Sequence, residues 1–237
     1  MRSEGILHER PVLAATRWPS NAEMIEDVVR LGYIQPTDRV FDATWGSGVW
    51  WRKYTHPGEF IANCADFDKR GKLKTPELQP GWSWVQRDFR NTDLPDDWCD
   101  VYTFDPPYVS KGGRATSTIP KFLAAYGLRD APKTPEALHA YNVDGLLEAR
   151  RVVKPGGYVL VKVMNYISSA SLQPAAHWMR DTALEEGFKL VEDWVHVGDP
   201  GPQPKENIDG SKRRQVHARN NYSVLLILQR PKMRGRR

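Results

Sequence analysis

Cysteine is nearly absent from this 237-residue chain: Cys64 and Cys99 are the two it has, 35 positions apart. Two thiols so separated make neither a disulfide framework nor a zinc-ligand spacing. So sparse a count suits a reducing compartment, and a cytoplasmic location is expected. The six histidines are scattered, without the spacing of metal ligands, so no metal is expected. Long apolar runs are missing too. No stretch approaches the ~20 consecutive apolar residues of a transmembrane helix, and no membrane partner is expected. The opening residues, MRSEGILHERPVLAATRWPS, hold no apolar segment of signal-peptide length.

What is present is ordinary in amount and unusual in placement. Hydrophobic residues make up 40% and charged residues 27%, values suited to a globular domain with a real core. The length fits one domain over residues 1–230, followed by a basic tail at 231–237. The net charge is +5, but it is not spread evenly. Residues 201–237 hold ten basic and two acidic side chains, a net +8, whereas residues 1–200 hold 24 basic against 27 acidic, a net −3. A concentrated basic segment suits a polyanionic partner, nucleic acid first; a solubilising tail is the plainer alternative.

No internal repeat is visible, and strand and helix signals alternate. Asn21–Leu31 carries apolar residues at helical spacing behind Ser20 or Asn21 as N-cap. Strand-like runs follow at Arg39–Ala43, Glu59–Ala65, Trp82–Arg87 and Asp100–Phe104. Pro135–Val153 reads as a helix stopped by Lys154-Pro155-Gly156-Gly157, and Tyr158–Met164 as a buried strand. Pro174–Glu186 reads as a helix, and Lys189–Val197 and Tyr222–Gln229 as late strands. Such alternation predicts an α/β sandwich around a mainly parallel sheet. Ligands of such sheets sit outside the carboxyl ends of the strands. The first four strands end in Asp42, Asp66, Asp88 and Asp105, which puts four carboxylates on one rim. Residues 109–134 and 198–221 interrupt the alternation as long inserted loops, and loops of that length are usually functional or disordered.

Two motifs carry chemistry. Asp42-Ala43-Thr44-Trp45-Gly46-Ser47-Gly48 opens where the first strand ends, and its glycines would let a ligand approach the backbone closely. A nicotinamide dinucleotide fingerprint would want a glycine at position 51, where Trp51 stands, and there is no Walker A sequence. The second motif is Asp105-Pro106-Pro107-Tyr108. Two prolines fix the backbone and donate no N–H, so a carboxylate and a neighbouring carbonyl stand as acceptors. Asp105 and the Pro106 carbonyl can accept both hydrogens of one exocyclic amine while the Tyr108 ring stacks on a planar, extruded base. Such an amine is a weak nucleophile because its lone pair is delocalised into the ring. Two acceptors would draw it toward tetrahedral geometry and stabilise the positive charge that develops as it attacks.

Together these motifs resemble the DNA amino-methyltransferases that modify adenine N6 or cytosine N4, whose signature is (Asp/Asn/Ser)-Pro-Pro-aromatic. The resemblance runs from about Trp18 to about Arg230. It implies a Rossmann-like class I methyltransferase sandwich, with seven mostly parallel strands and a late antiparallel strand. It implies S-adenosyl-L-methionine as the methyl donor, held by Asp42, Thr44, Gly46 and Gly48 of the glycine turn. It further implies Asp66 (or Asp68) at the ribose, Asp88 and Phe89 by the donor's adenine, and the segment of Trp18 at its methionine end. The Arg151–Gly157 run and the Arg219-Asn220-Asn221-Tyr222 run are similar to the family as well. Two departures stand out. Trp45 replaces the usual Phe or Ala, and 57 positions between Gly48 and Asp105 leave no room for a recognition domain.

The expected reaction is methyl transfer to the N6 amine of adenine in DNA. Cytosine N4 and an RNA base amine remain open, because the motif alone does not separate them. A catalytically silent, donor-binding nucleic-acid-binding protein is the alternative of another class. Lys111, Arg114 and Lys121 after the second motif, and Lys212, Arg213, Arg214 and Arg219 in the later loop, are the expected phosphate contacts. Trp82, Trp84, Trp98, Trp178 and Trp194 are expected in the core, and both cysteines read as small buried residues.

Overall fold

A computed structural model describes residues 18–64, 75–108, 132–168, 171–198 and 220–232. Asp66, Asp68, Lys111, Arg114, Lys121, Lys212, Arg213, Arg214 and Arg219 lie outside the described residues, as do most of the two inserted loops and the end of the basic tail.

Helix α1 (Asn21–Arg30) starts where Ser20 accepts from the Ala22 N–H at 3.2 Å, with Glu23 bonded back to the Ser20 hydroxyl. Gly32, at φ 78°, ends it. Helix α2 (Pro135–Val152) has Pro in its first turn and Thr134 as a cap accepting from the Ala137 N–H; Arg150 and Arg151 sit at its carbonyl end. Helix α3 spans Ala175–Glu185. The strands are β1 (Val40–Asp42), β2 (Phe60–Asn63), β3 (Ser83–Val85), β4 (Cys99–Phe104), β5 (Val153–Val163), β6 (Tyr166–Ser168), β7 (Ser171–Gln173), β8 (Lys189–Val197) and β9 (Tyr222–Gln229).

Seven strands form one sheet in the order β3-β2-β1-β4-β5-β9-β8. Pairing is parallel from β3 through β5, and β9 lies antiparallel between β5 and β8. The expected late antiparallel strand is β9. Successive residues of each strand serve opposite faces. Val40, Val101, Leu160, Leu225 and Ile227 pack on Met24, Ile25 and Val28 of α1. Their neighbours Phe41, Tyr102, Val161 and Leu226 pack on Leu146, Ala149, Met179 and Ala183 of α2 and α3. Burial on both faces is why the central strands read as continuous apolar runs. Both cysteines are buried, and no helix among the described residues is long and apolar enough to cross a membrane.

Two features differ from the sequence expectation. The Lys154-Pro155-Gly156-Gly157 run lies inside β5, which begins at Val153 and carries a register shift against β4 between Cys99 and Val101. Gly156 takes φ 91°, and a Cβ at Gly157 would stand 2.5 Å from the Asp100 carbonyl oxygen. The run therefore bends a strand as well as ending a helix. A separate antiparallel pair, β6 and β7, was also not anticipated.

Candidate active site

The glycine turn is held by its own side chains. Asp42, 5% exposed, accepts from the Trp51 indole N–H at 2.7 Å and from the Thr44 backbone N–H at 3.1 Å. Burial pushes the Asp42 carboxyl up to about 6 against these bonds, and the nearby charge of Asp105 adds to the rise. Gly46 and Gly48 sit at φ 55° and 64°, where glycine is favoured. Their surroundings differ. Among the described residues, a Cβ on Gly46 would meet only the Thr44 carbonyl oxygen, at 3.8 Å, so they leave space above it. A Cβ on Gly48 would stand 2.4 Å from the Trp45 ring. Trp45, the departure noted in the motif, thus fills the space that Gly48 leaves, and packs edge-on against Phe60 and Trp82.

The two motifs are joined directly. The backbone N–H of Asp105 donates to Thr44 Oγ1 at 2.7 Å, so the turn after β1 sets the chain leaving β4. Asn63, at the end of β2, was not singled out in the sequence. Its amide donates to the carbonyls of Ala43 and Arg87 and accepts from the Arg87 N–H, tying the ends of β1, β2 and β3 together.

Asp105 ends β4 with its two oxygens in different situations. Oδ2 lies 3.9 Å from Lys162 Nζ of β5, whose side chain is 11% exposed. Oδ1 is buried and has no hydrogen-bond partner among the described residues. The Trp50 indole N–H also lacks an aligned partner; it faces this carboxylate closely enough to stabilise its charge. Burial raises the carboxyl, and Lys162 and then Trp50 oppose the rise. Pro106 and Pro107 are buried and Tyr108 is half-buried; burial and then the charge of Asp105 raise the Tyr108 phenol. The Pro107 carbonyl accepts from Asn142 Nδ2 at 2.8 Å. The Pro107 carbonyl is thus engaged within the protein. Behind the motif, Pro106, Pro107 and Tyr108 line a small cleft together with Leu138, Asn142 and Trp178.

Asp88 lies on the same rim, gripped by Arg90 through Nε at 3.0 Å and Nη2 at 2.6 Å. Burial works to raise its carboxyl, but the Arg90 bonds outweigh this and it lies below its usual value. Two expected donor contacts, Phe89 and Trp18, are engaged in packing. Phe89 is buried against Phe104 and Tyr141 and would be struck by any Cβ on Gly145. Trp18 stacks on Trp194 at 5.1 Å, and its N–H donates to Asp27. Both rings are buried in the two hydrophobic clusters that flank the sheet.

β8 and β9 form an antiparallel pair whose open end, at Val197 and Tyr222, closes with the Gly198 N–H donating to the Asn221 carbonyl at 2.7 Å. β8 runs in the same direction as β5. The chain therefore leaves at Gly198 and returns at Asn221 on the rim that carries Asp105.

No protein-family model matches the chain, and no curated protein matches it in sequence. Solved structures do match. A protein from Bacillus halodurans assigned as a methyltransferase is 14% identical, with a TM-score of 0.53 over 89% of this chain and 100% of its own. The methyltransferase partner in a complex with the Haloferax volcanii activator Trm112 is 17% identical, with a TM-score of 0.54 over 91% of each chain. A SAM-dependent methyltransferase from Methanosarcina mazei covers 92% of this chain and 99% of its own at 12% identity, with a TM-score of 0.49 that adds no weight. Sheet order, strand direction and these likenesses agree: the chain has the Rossmann-like fold of the class I methyltransferases.

Proposed function

We propose that this protein is an S-adenosyl-L-methionine-dependent methyltransferase that acts on an exocyclic base amine, the N6 of adenine in DNA. The observation that carries the reading is Asp105 Oδ1: a buried carboxylate oxygen at the mouth of a parallel sheet, with no hydrogen-bond partner of good geometry among the described residues. Leaving such an atom unpaired costs free energy on the order of 1–3 kcal/mol or more, and a site that retains it holds an acceptor in reserve.

The residues present fit the donor. The open space over Gly46 admits a ligand against the backbone, and the carboxylates of Asp42 and Asp105 suit a sulfonium cation. Asp42, Thr44, Gly46 and Gly48 would hold it at the turn, with Asp88 farther along the rim and Asp66, which follows β2 in sequence, as a further contact. When bound, the donor supplies an electrophilic methyl group, whose transfer exchanges a C–S bond for an N–C bond with loss of one amine proton. Asp105 Oδ1 and the Pro106 carbonyl accept the two amine hydrogens, and Tyr108 stacks on the base. The buried setting strengthens both acceptor bonds as positive charge develops on nitrogen. Lys111, Arg114, Lys121, Lys212, Arg213, Arg214 and Arg219 would hold phosphates around the extruded nucleotide.

Incubation with tritiated donor and either DNA or RNA, followed by nucleoside analysis, tests the reading. Label in N6-methyldeoxyadenosine, lost in Asp105→Ala while DNA binding persists, is the expected result. Label only in cytosine or only in RNA would overturn the substrate assignment. A wild type inert on every nucleic acid, yet binding it, would favour a silent binder.

A further inference from the structure

The C-terminal half of β5 reads Tyr158-Val159-Leu160-Val161-Lys162-Val163, so Lys162 is its one charged residue. Lysine is seldom buried this deeply without a partner. Its ammonium lies 3.9 Å from Oδ2 of Asp105, whereas Oδ1 of the same carboxylate is buried and has no hydrogen-bond partner among the described residues. The two oxygens thus have different duties. One faces a cation supplied by the neighbouring strand, and the other is left open.

We propose that Lys162 is a positioning residue: it holds Oδ2 of Asp105, keeps the carboxylate charged, and leaves Oδ1 aimed as the acceptor for the substrate amine. This rests on the reading of Asp105 given under Proposed function. A protonated carboxyl would be a poor acceptor for an amine hydrogen, so the reaction needs the charge that burial opposes.

The groups facing this pair come from several elements. Asp42 of β1 and Tyr108, which follows β4, each feel the charge of Asp105. The Trp50 N–H faces Asp105 from the turn after β1. On the far side of Lys162, His196 of β8 is lowered first by burial and then by Lys162, while Glu23 of α1 opposes. Glu23 is itself paired with Lys53. Of these groups, Lys162 is the cation that contributes most to lowering Asp105.

The test needs neither donor nor acceptor in its first arm. Protein labelled with ¹³C at aspartate carboxyls is titrated by NMR, with Asp105→Asn identifying the resonance. Lys162→Met is expected to raise the Asp105 midpoint by about one pH unit, and Lys162→Arg to restore it. In the second arm, the acid limb of kcat/KM for methyl transfer moves up by the same amount in Lys162→Met, while donor affinity stays within threefold. Lys162→Gln is read in the same way if Lys162→Met loses a dispersed amide spectrum. An Asp105 midpoint that coincides in wild type and variant overturns the proposal. So does a shifted midpoint with an unmoved pH profile. A wild type that methylates nothing defeats the functional reading instead, and the NMR arm then decides the Lys162–Asp105 pairing alone.

Discussion

Asp42 spends both carboxylate oxygens inside its own turn, on Trp51 and on the Thr44 N–H. Two donors converge on two acceptors, which asparagine cannot duplicate, because one of its ends is itself a donor. The charge is costly all the same. Burial raises the folded-state carboxyl to about 6 from an ordinary 3.8. The protonated form is then favoured by folding, so its stabilisation is complete below the ordinary value and is lost as pH rises through about 6. With about 1.4 kcal/mol for each pH unit, wild type should lose about 2 kcal/mol relative to Asp42→Asn between pH 4 and pH 7. Urea unfolding of both proteins at four pH values reads this directly, and a constant difference would refute it. Thr44 acts differently, since its hydroxyl receives the Asp105 N–H. Thr44→Ala leaves that N–H without its partner, at a cost of about 1–3 kcal/mol. It should lower kcat for methyl transfer about tenfold with little change in donor Kd. Thr44→Ser should restore most of it, and equal losses in both variants would show that the hydroxyl does not place Asp105.

At the scale of elements, the turn between β1 and the next strand is shaped by a large ring set over a glycine. Gly48→Ala places a methyl group 2.4 Å from the Trp45 ring and forces φ 64° on an L-residue. The backbone alone costs about 1–2 kcal/mol, and the overlap adds to it. In a Trp45→Ala background the same substitution should cost at least about 1 kcal/mol less, because only the backbone part remains. Chemical denaturation of the four proteins of this cycle measures the coupling, and additive effects would mean that Trp45 swings aside freely. Elements of this kind were partly legible beforehand. Glycine turn and Asp-Pro-Pro-Tyr could be read because their chemistry is contiguous in the chain, and the strand ends that present them follow from hydrophobic pattern. Lys154–Gly157 ends α2 as its Pro-Gly-Gly run signals, but β5 already begins at Val153, because pairing with β4 on both sides of the run makes it part of a bent strand. Asn63, Asn142 and Lys162 reach the site from three other elements, and their meeting depends on sheet order. Only Lys162 left a trace, as a charge inside an apolar run. Phe89 and Trp18 were assigned to the donor by motif position; both rings are buried, Phe89 in the cluster with α2 and α3 and Trp18 in the cluster with α1.

Across the whole molecule, charge is segregated: a net −3 over the first 200 residues and +8 beyond. The acidic part includes the rim on which Asp42, Asp88 and Asp105 are set. Such a rim suits a cationic donor but repels a phosphate backbone, and something must offset that repulsion if a polynucleotide is to approach. The chain departs at Gly198 and returns at Asn221 beside that rim, and Lys212, Arg213, Arg214 and Arg219 lie in sequence between these two anchors. If these side chains meet phosphates, binding must release counterions in proportion to their number. For duplex DNA, each phosphate neutralised steepens the fall of log K with log salt by about 0.9. Replacing Lys212, Arg213 and Arg214 together with alanine should therefore flatten that slope by up to about 2.7. Affinity should weaken to a similar degree on every sequence, because phosphate contacts carry no base information. The slope is measured by anisotropy of a labelled duplex between about 50 and 200 mM salt, the range over which such contacts dominate affinity. Replacing Arg234, Arg236 and Arg237 instead should flatten it less, since β9, which precedes them, ends at Gln229, at the end of the sheet opposite that rim. An unchanged slope in the first variant, with a flattened one in the second, would move the nucleic-acid contact from the loop to the tail.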